Sequence, residues 1–445
     1  MTQSRLRRSL RASTIDGAAC AAMTGFGETY FPAFGLLLGA SPFEVGLLTT
    51  VPMLCGAGAQ LLAPRVAHRI GDRRFVIAAA VAQALCFLPI GLLTLAPDSQ
   101  RYPPLLFWVA LYWMLALGIH PVWNSWIGRM APPAVRSRFF GGRGSAVNAA
   151  LLGSTLLAGV LLHTAERSAW GAASGFLALF ALAGCSRLLS ARFLAEQHDP
   201  QIGRPPRRPP MLAIIRGMAR RPYGRLVALL VLVMGSVHIS AAYFTPYMLQ
   251  HLQLSYAQYT MLNAAVLIAR IVSSAYWGEI ARRYGNRRTL QVAGTLLVPL
   301  SALWVVSDHF AYLIALQLFA GFAWAGFELA TVLNLLDATD DADRAQVLSL
   351  YTLLNGVAIV VGSLVGGTVL RALGDSGYHL LFLTSSTLRA VAMLRLARGV
   401  GVRRDREHSF PSVFVRVLSI RSGRGPELQP IAFEDRPRRR RSRRR

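Results

Sequence analysis

Long apolar runs alternate with short polar breaks along almost the whole chain. Most runs are near the length at which an α-helix crosses the hydrocarbon core, about 20 residues. They predict twelve spans, over 15–38, 45–66, 75–96, 105–127, 139–163 and 169–191, then 226–249, 256–280, 290–307, 310–336, 345–370 and 378–397. Between the sixth and seventh lies a segment containing Pro205-Pro206-Arg207-Arg208-Pro209-Pro210, too polar to bury apolar surface and therefore read as a linker. The expected organisation is an N-terminal stretch 1–14, a six-helix bundle 15–196, a linker 197–222, a second six-helix bundle 223–398, and a basic tail 399–445 without fixed structure. Arg389 and Arg395 interrupt the twelfth run and are expected to snorkel toward the inner surface.

The polar breaks contain a repeat. His68-Arg69-Ile70-Gly71-Asp72-Arg73-Arg74 joins spans 2 and 3, and Arg282-Arg283-Tyr284-Gly285-Asn286-Arg287-Arg288 joins spans 8 and 9. Glycine permits the turn, and the arginines stay in water beside lipid head groups. Tyr30-Phe31-Pro32 in span 1 is echoed by Tyr243-Phe244-Thr245-Pro246 in span 7. Asn124 is echoed by Asn334, and Arg136 with Asn148 by Arg344 with Asn355. With six spans per half, both halves begin on the same side, so the repeat is parallel rather than inverted.

Composition supports a bilayer protein: 53% of the 445 residues are hydrophobic and 15% charged, against about 25% charged in soluble chains. The formal charge is +26, and every basic side chain counted is arginine. Such basicity invites a nucleic-acid reading. The arginines instead gather in alternate loops, with Arg69, Arg73 and Arg74, Arg129, Arg136 and Arg138, Arg204 to Arg221, and Arg282 to Arg288 all falling on the side of the termini. The positive-inside rule then sets both termini in the cytoplasm of a multi-pass protein of the cell (inner) membrane, and nucleic acid is not an expected partner. The tail is expected to lie near anionic lipid. Cys20, Cys55, Cys86 and Cys185 stand singly without metal-ligand spacing, and no Gly-x-x-x-x-Gly-Lys phosphate loop appears, so no cofactor is expected.

At this point the sequence resembles the major facilitator superfamily over about residues 14–398. The family writes the loop after its second span as Gly-x-x-x-Asp-(Arg/Lys)-x-Gly-(Arg/Lys)-(Arg/Lys). The second copy here follows at Gly278, Arg283, Gly285, Arg287 and Arg288, with Arg282 in the acidic position. The first follows at Arg69, Gly71, Arg73 and Arg74, with Pro64 and His68 departing from the pattern. Trp123-Asn124-Ser125-Trp126 and Arg136-Ser137-Arg138-Phe139-Phe140-Gly141 are similar to a bacterial subgroup mostly without assigned substrate. The resemblance implies an all-α membrane protein of twelve transmembrane helices in two six-helix bundles. It also implies that these loops gate alternating access, and that a central site is lined by spans 1, 4, 7 and 10. The Gly-Pro signature of antiporters in span 5 and the Arg-x-x-Gln-Gly pattern of span 4 are both missing.

Charges in mid-span cost roughly 2.5–3.5 kcal/mol on insertion scales and persist with a partner or a role. Glu28 lies midway along span 1 beside Gly25 and Gly27, where an apolar setting suits a proton carrier or a carboxyl that fixes the kink near Pro32. Arg270 in span 8 and Glu328 in span 10 sit at similar depth, as a structural ion pair or as an anion-binding group and a second proton site. His120, Asn124, Asn148, His238, Asn334 and Asn355 are either bonds between helices or substrate contacts. Trp123 and Trp324 lie deep enough to stack on an apolar ligand. Gly153 with Gly159, and Gly362 with Gly366 and Gly367, permit close helix approach.

These residues and the resemblance predict a secondary transporter, expected as a monomer, that moves a small solute with protons. The preferred form is export of an amphipathic compound. The alternatives are uptake of a metabolite and a receptor or scaffold that kept the fold. An enzyme is not expected, because no nucleophile–base spacing appears.

Overall fold

The computed structural model describes residues 3–97, 101–130, 133–168, 171–198, 217–218, 221–339 and 344–399; these are helical, with no strand among them. The linker over 197–222 and the tail over 399–445 fall almost wholly outside the described residues. Ten stretches of the described residues are long and apolar enough to cross a membrane. One of them, Val347–Arg395, contains two helices, Arg344–Leu373 and Gly377–Gly399, joined by a turn over Gly374–Ser376. The span 1 helix, Gln3–Phe26, is not among the ten, because its arginines and Asp16 dilute its apolar content.

The repeat is visible in local geometry. Spans 2 and 8 are helices over Pro42–Ile70 and Tyr256–Tyr284. Each opens on a capping box, Ser41 with Glu44 and Ser255 with Gln258, in which each serine and its third neighbour satisfy one another's free backbone N–H. Each ends on a glycine in the left-handed region, Gly71 at φ 95° and Gly285 at φ 84°, where a Cβ would be strained. Gly71 N–H donates to Ala67 O over 2.8 Å, and Gly285 N–H to Ala281 O over 2.9 Å.

Spans 1 and 7 break in the same way. Span 1 runs Gln3–Phe26, a 3-10 turn Glu28–Tyr30, then Phe31–Leu37; span 7 runs Pro222–Ala241, then Phe244–Pro246 and a wide turn Tyr247–His251. Pro32 and Pro246 remove a backbone donor and crowd the preceding turn. Tyr30 and Tyr243, at the two breaks, share φ −105° and ψ 0°.

Packing follows the repeat. Span 1 packs on span 5 (Pro133–Glu166) and span 6 (Gly171–Glu196), and span 2 on span 4 (Tyr102–Met130); span 3 (Asp72–Leu92) packs on spans 4 and 6. In the second half span 7 packs on spans 11 and 12, span 8 on span 10 (Phe310–Asp337), and span 9 (Asn286–Leu297) on spans 10 and 12. The halves meet through span 2 against span 11 and span 5 against span 8. Small residues make this approach possible. A Cβ at Gly159 would lie 2.5 Å from Thr260, and one at Gly367 would lie 2.4 Å from the Phe43 ring. Gly153, by contrast, faces open space.

These contacts lie on the face away from the N-terminus and run inward to the level of Ala57 and Gly356. On that face Tyr30 Oη lies 2.8 Å from Thr260 Oγ1 and donates to Thr155 O over 3.2 Å. Tyr243 Oη donates to Ser363 O, whose own hydroxyl donates to Gly46 O over 3.3 Å. Beyond this closure is a vestibule of about 700 Å³, where the Arg371 guanidinium lies 5.5 Å from the Phe43 ring centroid.

One expectation is corrected here. Arg389 does not snorkel: it is 3% exposed and folded into the second bundle. Its Nη2 donates to the hydroxyls of Ser301, Ser385 and Ser240 at 2.6, 3.0 and 3.1 Å, and its Nη1 to Leu297 O at 3.1 Å. A bonded cage inside the protein replaces the long stretch to the surface that snorkelling requires.

Candidate functional site

A cavity of about 470 Å³ lies within the first half, lined from spans 1, 3, 4, 5 and 6. Glu28, His120, Trp123 and Asn124 line it. His120 and Asn124 are exposed, so the cavity opens toward the face where the chain begins. The expected lining by spans 7 and 10 is not found for this cavity.

Glu28 sits at the span 1 break, where the 3-10 turn aims its carboxyl at span 4. Tyr112 Oη donates to Glu28 Oε2 over 2.8 Å. The Tyr112 ring is fully buried and held edge-on by Phe31 and Phe87, with centroids 5.2 and 5.3 Å away. An aromatic cage on that scale fixes the phenol rather than letting it follow the carboxyl.

A second charged group was missed by the sequence reading. Asp16, 3% exposed, accepts a hydrogen bond from Ser190 Oγ over 2.7 Å. Ser190 accepts in turn from Arg187 Nη1 over 2.8 Å, and Arg187 Nε donates to Gln83 Oε1 over 2.7 Å. On its other side Asp16 Oδ2 lies 3.8 Å from Arg143 Nη2. Arg143 Nε donates to Ser13 O over 3.1 Å, and its guanidinium lies 4.5 Å from the Trp123 ring centroid. A Cβ at Gly17 would lie 2.6 Å from Arg143 Nη2, so only glycine lets Arg143 come this close to span 1. Asp16, Gln83, Arg143 and Arg187 all line the cavity. Its wall is thus mostly apolar and aromatic, and carries two guanidiniums and two carboxyls as well.

The remaining candidates lie outside this cavity. Arg270 Nη2 donates directly to Glu328 Oε2, and the two side chains are 41% and 49% exposed. The pair points away from the row formed by Met261, Ile268 and Val272, whose exposed apolar side chains suit lipid. His238 Nδ1 lies 2.9 Å from Met234 O, a bond within its own helix. Asn334 Nδ2 donates to Asn286 O over 2.8 Å and to Ala330 O over 2.7 Å, which ties span 10 to the repeated turn. Asn286 Nδ2 reaches Asp337 Oδ2 over 2.6 Å at the same place. The repeat partners Asn124 and Asn334 therefore differ in setting, one in the cavity wall and one on span 10 bonded to a turn. Asn148 is half-buried on span 5. Asn355 has a buried Oδ1 with no hydrogen-bond partner among the described residues. Trp324 packs edge-on against Phe327 at 6.0 Å.

The arginines at the two repeated turns are engaged differently, one across helices and two within their own helix. Arg73 Nη2 donates to Ala195 O, linking span 3 to span 6. Arg282 and Arg283 both hold Glu279, with Arg282 Nε at 2.8 Å from Glu279 Oε2. Glu279 sits beside Gly278 and supplies a carboxylate near the position where Arg282 replaces the acidic residue of the family pattern.

The family model described as Major Facilitator Superfamily matches residues 17–246 and 226–424. No curated relative matches the sequence. Solved structures resemble the fold at low identity. A mutant of the nucleoside transporter NupG has a TM-score of 0.72 at 12% identity, covering 87% of this chain and 98% of that one. A bacterial homologue of the human lysosomal transporter Spinster, in an inward-facing and unoccupied conformation, scores 0.65 at 16% identity, covering 94% and 99%. A D-xylose-proton symporter scores 0.62 at 16% identity, covering 89% and 97%.

Proposed function

The chain belongs to the Major Facilitator Superfamily and is a membrane transporter of small solutes rather than an enzyme, and we propose that it couples solute movement to protons. The halves 15–196 and 223–398 rock as bundles, and solute binds in the first-half cavity. The positive-inside pattern supports a cytoplasmic location for the face toward which that cavity opens. The conformation described is then inward-facing, closed on the outside by Tyr30, Thr260, Tyr243 and Ser363.

The observation that carries this reading is Glu28 in the cavity wall, bonded by one fixed phenol at a helix break. A carboxyl in such a place can exchange a proton with either side as the bundles rock. The D-xylose-proton symporter among the structural neighbours lends general support to proton coupling. Trp113, Trp123, Leu117 and Leu151 favour an amphipathic solute. Export was the direction expected from an apolar site. Uptake is the reading favoured by Arg143 and Arg187, because a charged cavity suits a polar metabolite as well. The test is a growth screen of a deletion strain and its complemented parent against toxic and nutrient compounds. A compound whose effect depends on the gene, and whose dependence is lost in Glu28→Gln, supports a proton-linked carrier. Full complementation by Glu28→Gln across pH removes the coupling role.

A further inference from the structure

The first-half cavity holds more than a proton group. Arg143 and Arg187 supply two permanent positive charges, because guanidinium stays protonated in proteins. Asp16 supplies one negative charge that both arginines share, Arg187 through Ser190 and Arg143 at 3.8 Å. The second distance is long for a charge-assisted bond, which is about 2.7–2.9 Å when well made. Arg143 is thus incompletely matched, 19% exposed, and laid over Trp123 in the cavity wall. The charge balance then depends on Glu28. Ionised, Glu28 brings the cavity near neutrality; protonated, it leaves one positive charge in excess.

We propose that the cargo carries an anionic group, a carboxylate or a phosphate ester, that is gripped by Arg143 beside Trp123 and travels with the proton on Glu28. The proposal rests on the carrier reading above and adds the class of cargo and the sign of the coupling. Anion and proton occupy one cavity and relieve one another's charge, so each tightens the binding of the other, and the reciprocity is thermodynamic. A cation would instead compete with the proton and move against it. A unit charge about 10 Å away at an effective dielectric constant of about 20 changes affinity about tenfold. The charged and titratable groups around Glu28 from the elements packed there are Tyr112 and His120 of span 4, Arg187 of span 6, Arg143 of span 5, and Asp16 and Cys20 of its own span. Of these the arginines stay charged throughout, and Asp16 is already paired with them.

The same logic gives Asp16 a role. It holds Arg143 in place while the cavity is empty and yields it to the incoming anion. Arg187, bonded to Gln83 and Ser190, holds Asp16 in position through the Ser190 hydroxyl.

The test uses the full chain purified in detergent. Thermal shift is titrated with benzoate, indole-3-acetate and phenyl phosphate, beside benzamide, benzylamine and tryptamine, at mildly acidic and mildly alkaline pH. The expected result is stabilisation by at least one anion, about tenfold tighter at acidic pH, with carboxylate and phosphate arms telling the two sources apart. Glu28→Gln should bind that anion tightly at both pH values. Arg143→Gln should lose it, and Arg143→Lys, which keeps the charge and guards against misfolding, should retain part of it. The proposal is overturned if no anion stabilises the protein, if neutral or cationic probes stabilise it instead, or if Arg143→Gln binds as wild type does. A neutral or cationic compound carried into proteoliposomes would sink the anion while leaving the carrier intact. An anion that binds but is never carried would sink the carrier while leaving the site.

Discussion

Tyr30 Oη and Thr260 Oγ1 lie 2.8 Å apart and join the two halves of the molecule across their closed face. Tyr243, which stands where Tyr30 stands in the other repeat and has the same backbone angles, reaches Ser363 and packs on Gly46. A pair of equivalent tyrosines thus closes the face from both sides. Tyr30→Phe removes the bridge to Thr260 together with the bond to Thr155 O, and only the first of these crosses between the halves. One hydrogen bond contributes about 0.5–1.5 kcal/mol net, so the open population at this face should rise about two- to tenfold. Spin labels at Leu95 and Leu373, in a background without the four native cysteines, would read this as a larger long-distance component. An unchanged distance distribution would remove Tyr30 from the closure.

Glycine sets the limit of approach at the same seam. Gly159→Leu should collide with Thr260, and Gly367→Leu with Phe43 and Tyr243. Both variants should hold the face open in the label experiment and stop transport. Gly153→Leu is the control, since it meets open space on the same helix as Gly159 and should leave both readouts near wild type.

One buried arginine occupies the sixth helix of each half, Arg187 in the first and Arg389 in the second, and the two differ in what they hold. Arg187 shares Asp16, and Arg389 rests on hydroxyls and carbonyls with no carboxylate paired to it among the described residues. Arg187→Met leaves Asp16 only Ser190 and the long contact to Arg143, and breaking a buried charge arrangement costs up to about 3–5 kcal/mol. Arg389→Met leaves Ser240, Ser301 and Ser385 bonded to one another at 2.9 and 3.0 Å, and should cost less than about 2 kcal/mol. Thermal unfolding in detergent should therefore rank Arg187→Met well below Arg389→Met, with Asp16→Asn partly restoring the former. The reverse order would contradict the assignment of Asp16.

Much of the fold was legible in the chain. The turns at Gly71 and Gly285, a kink near Pro32 and the span order came from hydropathy and the repeat, whereas the matching break at Tyr243 showed only as a sequence echo. The site was legible only in part, and the reason is physical. Span limits at 15, 139 and 191 made Asp16, Arg143 and Arg187 look like charges near helix ends. The helices instead run over Gln3–Phe26, Pro133–Glu166 and Gly171–Glu196, so all three charges fall inside them. A bilayer helix extends past its apolar run wherever neighbouring helices satisfy it, which no single run of residues reveals. Arg270 and Glu328 stood far enough from any end to be noticed, and the structure joins them as the paired reading expected. Asn334 makes the helix-linking bond that was one of its two readings, while Asn124 lines the cavity, because a repeat preserves position in the fold and not the surroundings of a side chain.

Proton coupling at Glu28 has its own signature in rates. Wild-type transport should depend on pH, since the carboxyl must load and unload. Glu28→Gln is fixed in the uncharged form and should show a flat profile for exchange of solute across the membrane. Counterflow measured over a range of pH would check this, and a Glu28→Gln profile that follows wild type would assign the pH dependence elsewhere.

The most direct measurement is accumulation of a binding compound in proteoliposomes under an imposed pH gradient, with wild type beside Glu28→Gln. The account predicts that wild type concentrates the compound on the alkaline side and that Glu28→Gln only equilibrates it. Equal accumulation by both proteins, or no movement of any compound that binds, would contradict it.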